Sequence, residues 1–370
     1  MTLRQYIEQE IRDRGPIPFS RYMELCLYQP QMGYYSRGTE QFGKAGDFYT
    51  SSDVHAVFGR LLARQFEEMW RVLGSPAEIR IVELGPGRGL FAQDVLDWSQ
   101  KKFPEFFRAL HFALVESSPA LRDRLKQRLE QIADQKVSLG ATIEDVTFGE
   151  NTIVFANEFF DALPVEVLSY RGELRIAVKD DKFDEQFVPS SADVLDYVDR
   201  YSVQPEAGER VEAPLLAQDY MRCVAGKLKH GFMVVIDYGY TRQELLAERH
   251  RGTVTAFRHH TMSMNPYEAP GEQDITAHVN FTALRDEGEK AGLEHLALLT
   301  QSQFLMGIGE PNQFSDAFED CGSRQEQTKV ALQLKHLVTP VGMGETFHVL
   351  LMSKGVSREE AMKMHGLRFA

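Results

Sequence analysis

The chain has 370 residues, of which 43% are hydrophobic and 26% are charged. These values are typical of a folded globular protein and exclude a disordered tail, a collagen and a disulfide-stapled scaffold. Lys and Arg number 41 against 54 Asp and Glu, so the formal net charge is −13, which disfavours binding to nucleic acid. The length allows two or three domains, or one domain with a large insertion.

The cysteines, the N-terminal residues and the apolar runs indicate where in the cell the protein is located. The three cysteines are far apart, as is typical of reduced thiols. Residues 1–14 alternate in charge and do not resemble a signal or transit peptide. The longest apolar runs are too short to span a bilayer. We therefore predict a cytoplasmic protein that does not insert into membranes.

The first 75 residues combine an aromatic segment with a helix. Tyrosines and phenylalanines alternate with glycines over residues 28–49, which indicates either a packed N-terminal arm or a lid over a pocket. Apolar residues then recur at helical spacing over residues 54–73, which predicts an amphipathic helix with Ser52 as its N-cap.

Strands and helices alternate from residue 79 onward. Ser118 and Pro119 are typical of a helix start. The alternation predicts an α/β protein whose strands are parallel and joined by right-handed crossovers. Strands are predicted at residues 79–84, 111–116, 137–139, 152–156, 232–237, 293–300 and 345–353, and helices at residues 90–99 and 119–132. Residues 170–206 indicate a β-rich insertion, and residues 251–280 an irregular excursion.

The central signal is the glycine-rich turn after the first predicted strand, residues 83–89, Glu-Leu-Gly-Pro-Gly-Arg-Gly. Such a turn at the end of a parallel strand lets the backbone approach a nucleotide. A dinucleotide fingerprint requires Gly or Ala at position 90, where the chain has Leu90, and no Gly-Lys-Ser/Thr follows. The pattern resembles the first motif of S-adenosylmethionine (SAM)-dependent methyltransferases. The cofactor-binding candidates here are Glu83, Gly85, Pro86, Gly87 and Gly89.

Glu116 follows the second predicted strand, 31 positions after Gly85. A carboxylate there can accept hydrogen bonds from both ribose hydroxyls of a nucleotide. The alternative is a glutamate that caps the following helix.

Residues 155–164 place polar side chains after the fourth predicted strand. Asn157, Glu158 and Asp161 flank two phenylalanines. A carboxylate there can hold an acceptor nitrogen, and it pairs in a bidentate manner with a guanidinium. The alternative is a helix N-terminus that carries acids because the helix dipole favours them. The histidines, His278 among them, lack partners at zinc spacing, so we predict no metal.

Several stretches together resemble the MidA-like family of SAM-dependent methyltransferases, which includes the mitochondrial complex I assembly methyltransferase. They are QPQMGYY (29–35), GDFYTS (46–51), FG (58–59), VELGPGRG (82–89), NEFFDALP (157–164), IDYG (236–239), DITAHV (274–279) and TQSQFL (300–305). The chain departs from the family pattern at Ser52, where Pro is expected, and at Asn280, where Asp is expected. We therefore assign no role to residue 280.

The resemblance implies a class I, seven-strand, Rossmann-like methyltransferase sheet with an N-terminal helical and aromatic arm and an inserted β-rich substrate region. The corresponding segments are residues 1–75 for the arm and helix, 76–169 for the SAM-binding core, 170–230 for the insertion, and 231–370 for the remainder, with an excursion at 251–282.

The resemblance also implies SAM as cofactor and a protein arginine as methyl acceptor, with symmetric dimethylation. The acceptor would be a respiratory complex I subunit or its bacterial counterpart, and a homodimer is one assembly to test. Glu158 and Asp161 would hold the acceptor nitrogen, and His278 would contact or deprotonate it. Asn157, Asp47 and Thr50 join the cofactor-binding candidates. Alternatives are a SAM-binding assembly factor with little catalysis and a small-molecule N- or O-methyltransferase.

Overall fold

The computed structural model describes residues 1–37, 56–133, 136–246, 251–258 and 261–370. The helices are, in chain order, α1 (Leu3–Arg14), α2 (Phe19–Tyr28), α3 (Ala56–Val72), α4 (Leu90–Lys102), α5 (Pro104–Ala109), α6 (Pro119–Ala133), α7 (Ala192–Tyr201), α8 (Leu215–Lys227), α9 (Arg242–Leu246), α10 (Phe281–Lys290), α11 (Gln301–Gly309), α12 (Ser315–Phe318), α13 (Arg324–Val338) and α14 (Arg358–Ala361). None in the described ranges is long and apolar enough to cross a membrane.

The strands are, in chain order, β1 (Ile17–Pro18), β2 (Ile79–Leu84), β3 (Leu110–Val115), β4 (Val137–Gly140), β5 (Asn151–Asn157), β6 (Glu166–Ser169), β7 (Gly172–Lys179), β8 (Lys182–Val188), β9 (Arg210–Ala213), β10 (His230–Tyr240), β11 (Thr255–Arg258), β12 (Thr261–Ser263), β13 (Asp274–Thr276), β14 (Val279–Asn280), β15 (Glu294–Thr300) and β16 (Phe347–Lys354). Each strand and helix predicted from residue 79 onward is present within a few residues of its predicted bounds.

The chain forms two compact units, each assembled from three separate stretches. We call them the central-sheet unit (Tyr49–Phe159, Arg222–Tyr238 and Gly288–Ala370) and the N-terminal unit (Met1–Phe48, Phe160–Met221 and Gly239–Glu287). The four segments that we predicted are consecutive along the chain, because a sequence pattern orders elements without showing which stretches pack together.

The central-sheet unit contains seven strands in the order β15-β16-β10-β5-β2-β3-β4. The last two residues of β10, Gly239 and Tyr240, belong to the N-terminal unit, where they pair with β14. From β10 to β4 all neighbours are parallel, which confirms the predicted α/β class. The prediction of an entirely parallel sheet is wrong at β16, which runs antiparallel to both β10 and β15. Periodicity shows that a segment is a strand but carries no information on its direction.

Aromatic packing sets the position of α4 behind the glycine-rich turn. The rings of Phe91 on α4 and Phe155 on β5 are stacked with centroids 4.3 Å apart, and Phe66 of α3 meets both rings edge-on. All three side chains are buried. Burying a side chain of this size stabilises the fold by roughly 2–3 kcal/mol. The start of α4 is therefore fixed by the core.

The N-terminal unit has two small sheets. One has the order β1-β7-β6-β9 with β8 paired to β7, so the insertion is β-rich as predicted. The other has the order β12-β11-β13 and occupies the stretch where we predicted only irregular structure. Its strands have three or four residues, too few for a hydrophobic period to be recognised.

Candidate functional site

The glycine-rich turn occupies the five residues between β2 and α4. Its three glycines have left-handed backbone, with φ of +67° at Gly85, +51° at Gly87 and +73° at Gly89. The Gly89 N–H donates to the Pro86 carbonyl at 2.8 Å and closes the turn. A Cβ at Gly89 would lie 2.5 Å from Leu125 Cδ2 of α6. Backbone conformation and close packing therefore both require glycine here.

Glu83 lies next to the end of β2 and is only 4% exposed. Burial raises the pKa of this carboxyl group to about 8. Its Oε2 atom is buried and has no hydrogen-bond partner among the described residues. Buried polar atoms in folded proteins are almost always paired, so this oxygen is suited to a ligand that brings a donor or a positive charge.

Glu116 directly follows β3, and its carboxylate Oε1 accepts a hydrogen bond from the Ser118 N–H at 2.8 Å. This hydrogen bond holds the turn before α6, whose first turn is capped by the Ser118 hydroxyl. The Gly87 N–H also donates a hydrogen bond to this carboxylate, which joins two residues 29 positions apart in the sequence. Burial nevertheless raises the pKa of Glu116 to about 7. Because a carboxylate has about four acceptor positions, holding the turn leaves capacity for a ligand.

Asn157 and Glu158 stand at the end of β5, beside β2. The Asn157 amide donates to Glu158 Oε1 at 3.1 Å, while its own Oδ1 is buried without a partner in the described ranges. Glu158 has a φ of +51°, and its N–H donates to the Ile236 carbonyl of β10 at 2.9 Å. Strained backbone of this kind is concentrated at functional sites, where the surrounding structure imposes it.

Phe159 connects this strand end to the glycine-rich turn. A Cβ added at Gly85 would lie 2.9 Å from the Phe159 ring. The structure thus brings together the ends of β2, β3 and β5, where ligands of open α/β sheets bind.

Asp161 and His278 belong to the N-terminal unit. Asp161 is buried, and its carbonyl accepts a hydrogen bond from the N–H of Ala277, the residue before His278, at 2.9 Å. Burial lowers the pKa of His278, so its imidazole is neutral at physiological pH. His278 lines a small cavity together with Phe160 and Gln218. The two candidates therefore lie on adjoining segments of one unit.

Two residues of this unit were not recognised as structurally important from the sequence. The Tyr35 hydroxyl donates to Asp274 Oδ1 at 2.7 Å, and both Asp274 and Asp161 raise the pKa of this buried tyrosine, after burial itself. Both residues lie in stretches of the family resemblance, which is the signal that could have identified them.

The side chain of Asn280 makes two hydrogen bonds that stabilise the local fold. Its Oδ1 accepts a hydrogen bond from the Ala283 N–H at 3.1 Å, as an N-cap of α10, and its Nδ2 donates to the Tyr201 carbonyl at 2.9 Å. The predicted residues Asp47, Thr50 and Ser52 lie outside the described residues. Across the ranges that the structure describes, no three metal-ligating side chains come together.

The fold and the glycine-rich turn define a class of proteins, the Rossmann-like SAM-dependent methyltransferases. Residues 61–299 match the model of a family described as "Putative S-adenosyl-L-methionine-dependent methyltransferase". Because the match covers more than half of the chain, this protein belongs to that family and is a SAM-dependent methyltransferase. The MidA-like resemblance, the enzyme class and the cofactor predicted from the sequence are confirmed.

The chain is also similar in sequence to individual methyltransferases along most of its length. The chain is 30% identical to "Protein arginine methyltransferase NDUFAF7 homolog, mitochondrial" of Drosophila melanogaster, over 96% of this chain and 85% of that protein. It is 29% identical to "Protein arginine methyltransferase NDUFAF7, mitochondrial" of Danio rerio, over 98% of this chain and 90% of that protein. These relatives are named mitochondrial, so our prediction of a cytoplasmic location is wrong.

A solved structure shares the whole architecture. A COG1565 superfamily protein of Burkholderia thailandensis, crystallised with S-adenosyl-homocysteine, superposes with a TM-score of 0.83 at 29% identity. The superposition covers 96% of this chain and 92% of that one. The predicted methyltransferase fold, including the inserted region, is therefore confirmed.

Proposed function

We propose that this methyltransferase transfers methyl groups to arginine side chains of a protein. The observation that carries the proposal is the Asn157–Glu158 pair at the end of β5, where a carboxylate is held in strained backbone beside the glycine-rich turn. A carboxylate matches a guanidinium in charge and in planar geometry, and it can accept two parallel hydrogen bonds from it. The names of the Drosophila and Danio relatives support the same acceptor.

The cofactor side is proposed to use the ends of β2, β3 and β5. SAM supplies a methyl group that its positive sulfonium activates. Gly85, Gly87 and Gly89 let the backbone approach the bound molecule, and Pro86 shapes the turn between them. Glu83 accepts from its amino group, and Glu116 from its ribose hydroxyls. The orphaned oxygens of Glu83 and Asn157 support this assignment, and Asp47 and Thr50 remain predicted additions to the set.

The acceptor side is proposed to use Glu158, Asp161 and His278. The carboxylates hold the guanidinium, and positioning alone supplies a large part of the rate of a direct displacement. The methylated nitrogen must lose one proton. His278 can accept it because burial keeps its imidazole neutral. We also propose that residues 170–230 form the substrate region.

The finer assignments rest on the family resemblance. We propose symmetric dimethylation, with a respiratory complex I subunit or its bacterial counterpart as the protein substrate. We further propose a homodimer, which light scattering of the purified protein would test.

Calorimetric titration of the purified chain with SAM, S-adenosyl-homocysteine and NADH tests the cofactor side. We expect saturable binding of the first two and none of NADH. Incubation with methyl-labelled SAM and an arginine-rich protein fraction, followed by acid hydrolysis and amino-acid analysis, tests the acceptor. Label in dimethylarginine supports the proposal, whereas label confined to small molecules or to another residue type contradicts it.

A further inference from the structure

The turn between β3 and α6 is short and tightly held. Only Glu116, Ser117 and Ser118 separate the two elements. The Glu116 N–H donates to the Gly140 carbonyl at the end of β4, at 3.0 Å. The Ser118 hydroxyl accepts from the Leu121 N–H at 3.3 Å and caps the helix. The orientation of the Glu116 side chain therefore depends on a few contacts in this turn.

Arg122, one helical turn into α6, adds a second set of contacts. Its Nη1 atom donates to the Glu116 carbonyl at 2.6 Å and to the Ser117 carbonyl at 2.8 Å. Hydrogen bonds from a charged donor are shorter and about twice as strong as neutral ones. Arg122 thereby ties two consecutive carbonyls of the turn to the helix that follows it.

The Arg122 guanidinium also interacts electrostatically with the Glu116 carboxylate. Burial opposes the ionised form of Glu116, and the Arg122 charge favours it. The other groups that favour ionised Glu116 are the backbone N–H groups of Ser118 and Gly87. Glu83, on the adjacent strand β2, and Asp237, on β10, are also buried acids near the carboxyl ends of the strands of this sheet.

We propose that Arg122 is a positioning residue for the cofactor: it holds the β3–α6 turn and so keeps the Glu116 carboxylate directed to the ribose hydroxyls. The inference rests on the ribose role proposed for Glu116. Arg122 itself touches neither cofactor nor acceptor in this scheme and acts through Glu116.

The test is calorimetric binding of S-adenosyl-homocysteine to the full chain at pH 6.5 and pH 8.5. Arg122→Ala raises the pKa of Glu116, so fewer molecules carry the carboxylate at the lower pH. For a rise of about one pKa unit we expect roughly eightfold weaker binding at pH 6.5, shrinking to within about twofold at pH 8.5. Arg128→Ala removes the same charge from an exposed position of the same helix and should change neither value.

Two further variants, Glu116→Gln and the double variant Glu116→Gln/Arg122→Ala, separate this role from a general loss of structure. If Arg122 acts through Glu116, the double variant binds no more weakly than Glu116→Gln. Additive losses, or an equal loss at both pH values, overturn the inference while leaving the proposed function intact. Absence of binding to the wild-type chain, or unchanged binding by Glu116→Gln, overturns the proposed cofactor site and the inference with it.

Discussion

The two units differ in how their candidate residues are brought together. The cofactor candidates of the central-sheet unit come from the ends of three neighbouring parallel strands, all within residues 83–158. The candidates of the N-terminal unit, Asp161 and His278, come from stretches more than 100 positions apart and meet through one backbone hydrogen bond. The cofactor candidates thus come from consecutive elements of the chain, whereas Asp161 and His278 come from stretches that are distant in sequence.

Substitution in the glycine-rich turn should have the largest effect, because it should strongly weaken cofactor binding by the central-sheet unit. Valine at Gly87 must adopt a φ of +51°, which costs about 1–2 kcal/mol, and we expect its side chain to take up space needed by the proposed cofactor. We expect SAM affinity to fall on the order of 100-fold or more, about 2.7 kcal/mol. Gly74→Val is the matched control, because Gly74 also has positive φ but faces open space. Normal binding by Gly87→Val would refute the loop assignment.

Replacement of Glu158 should separate chemistry from binding. Glu158→Gln keeps the size of the side chain but removes its charge, so it holds a guanidinium less well. We expect the turnover number to fall on the order of 100-fold, by analogy with the loss of one transition-state contact, with the dissociation constant of SAM within about twofold. The measurements are single-turnover methyl transfer and calorimetry. Glu150→Gln, near the opposite end of β5, serves as control. A collapse of SAM affinity would move Glu158 to the cofactor side.

The buried acid Glu83 should affect both the pH dependence of protein stability and the affinity for SAM. Its raised pKa means that the folded protein holds the proton more tightly than the unfolded chain. This contribution to stability is present below the ordinary value of 4.5 and is lost as pH rises through about 8, at up to about 1.4 kcal/mol per pH unit.

The Glu83→Gln side chain cannot ionise, so the variant does not lose stability in this way as the pH rises. Denaturant unfolding of the ligand-free chain should show the variant gaining stability over wild type between pH 6 and pH 9. SAM affinity should meanwhile fall roughly 10- to 150-fold, by the loss of one charged contact of about 1.5–3 kcal/mol. Parallel pH profiles for both proteins would show that Glu83 does not titrate in this range.

Replacement of Asn280, which belongs to the N-terminal unit, should lower stability and leave cofactor binding unchanged. Asn280→Ala removes a helix cap and leaves the Tyr201 carbonyl without its donor, which together cost about 2–3 kcal/mol. Asn280→Ser retains a capping oxygen and should recover part of this loss. Urea unfolding measures both, and SAM affinity should be unchanged. A catalytic defect without loss of stability would instead give residue 280 a chemical role.

The sequence alone determined the local parts of this protein. Strand β2, the turn after it and the start of α4 follow from an apolar run, three glycines and a helical period, all within 24 positions. The acidic residue after β3 was recognised for the same reason. These features depend on neighbours in the chain, so a sequence pattern is enough to locate them.

Only the tertiary structure decided the rest. Which direction β16 runs, which stretches form each unit, and that Gly87 meets the Glu116 carboxylate depend on contacts between segments far apart in sequence. The same holds for the raised pKa values of Glu83 and Glu116, because burial causes them and burial is a property of the assembled sheet. The candidate site residues can thus be recognised from local sequence patterns, whereas their pKa values depend on tertiary packing.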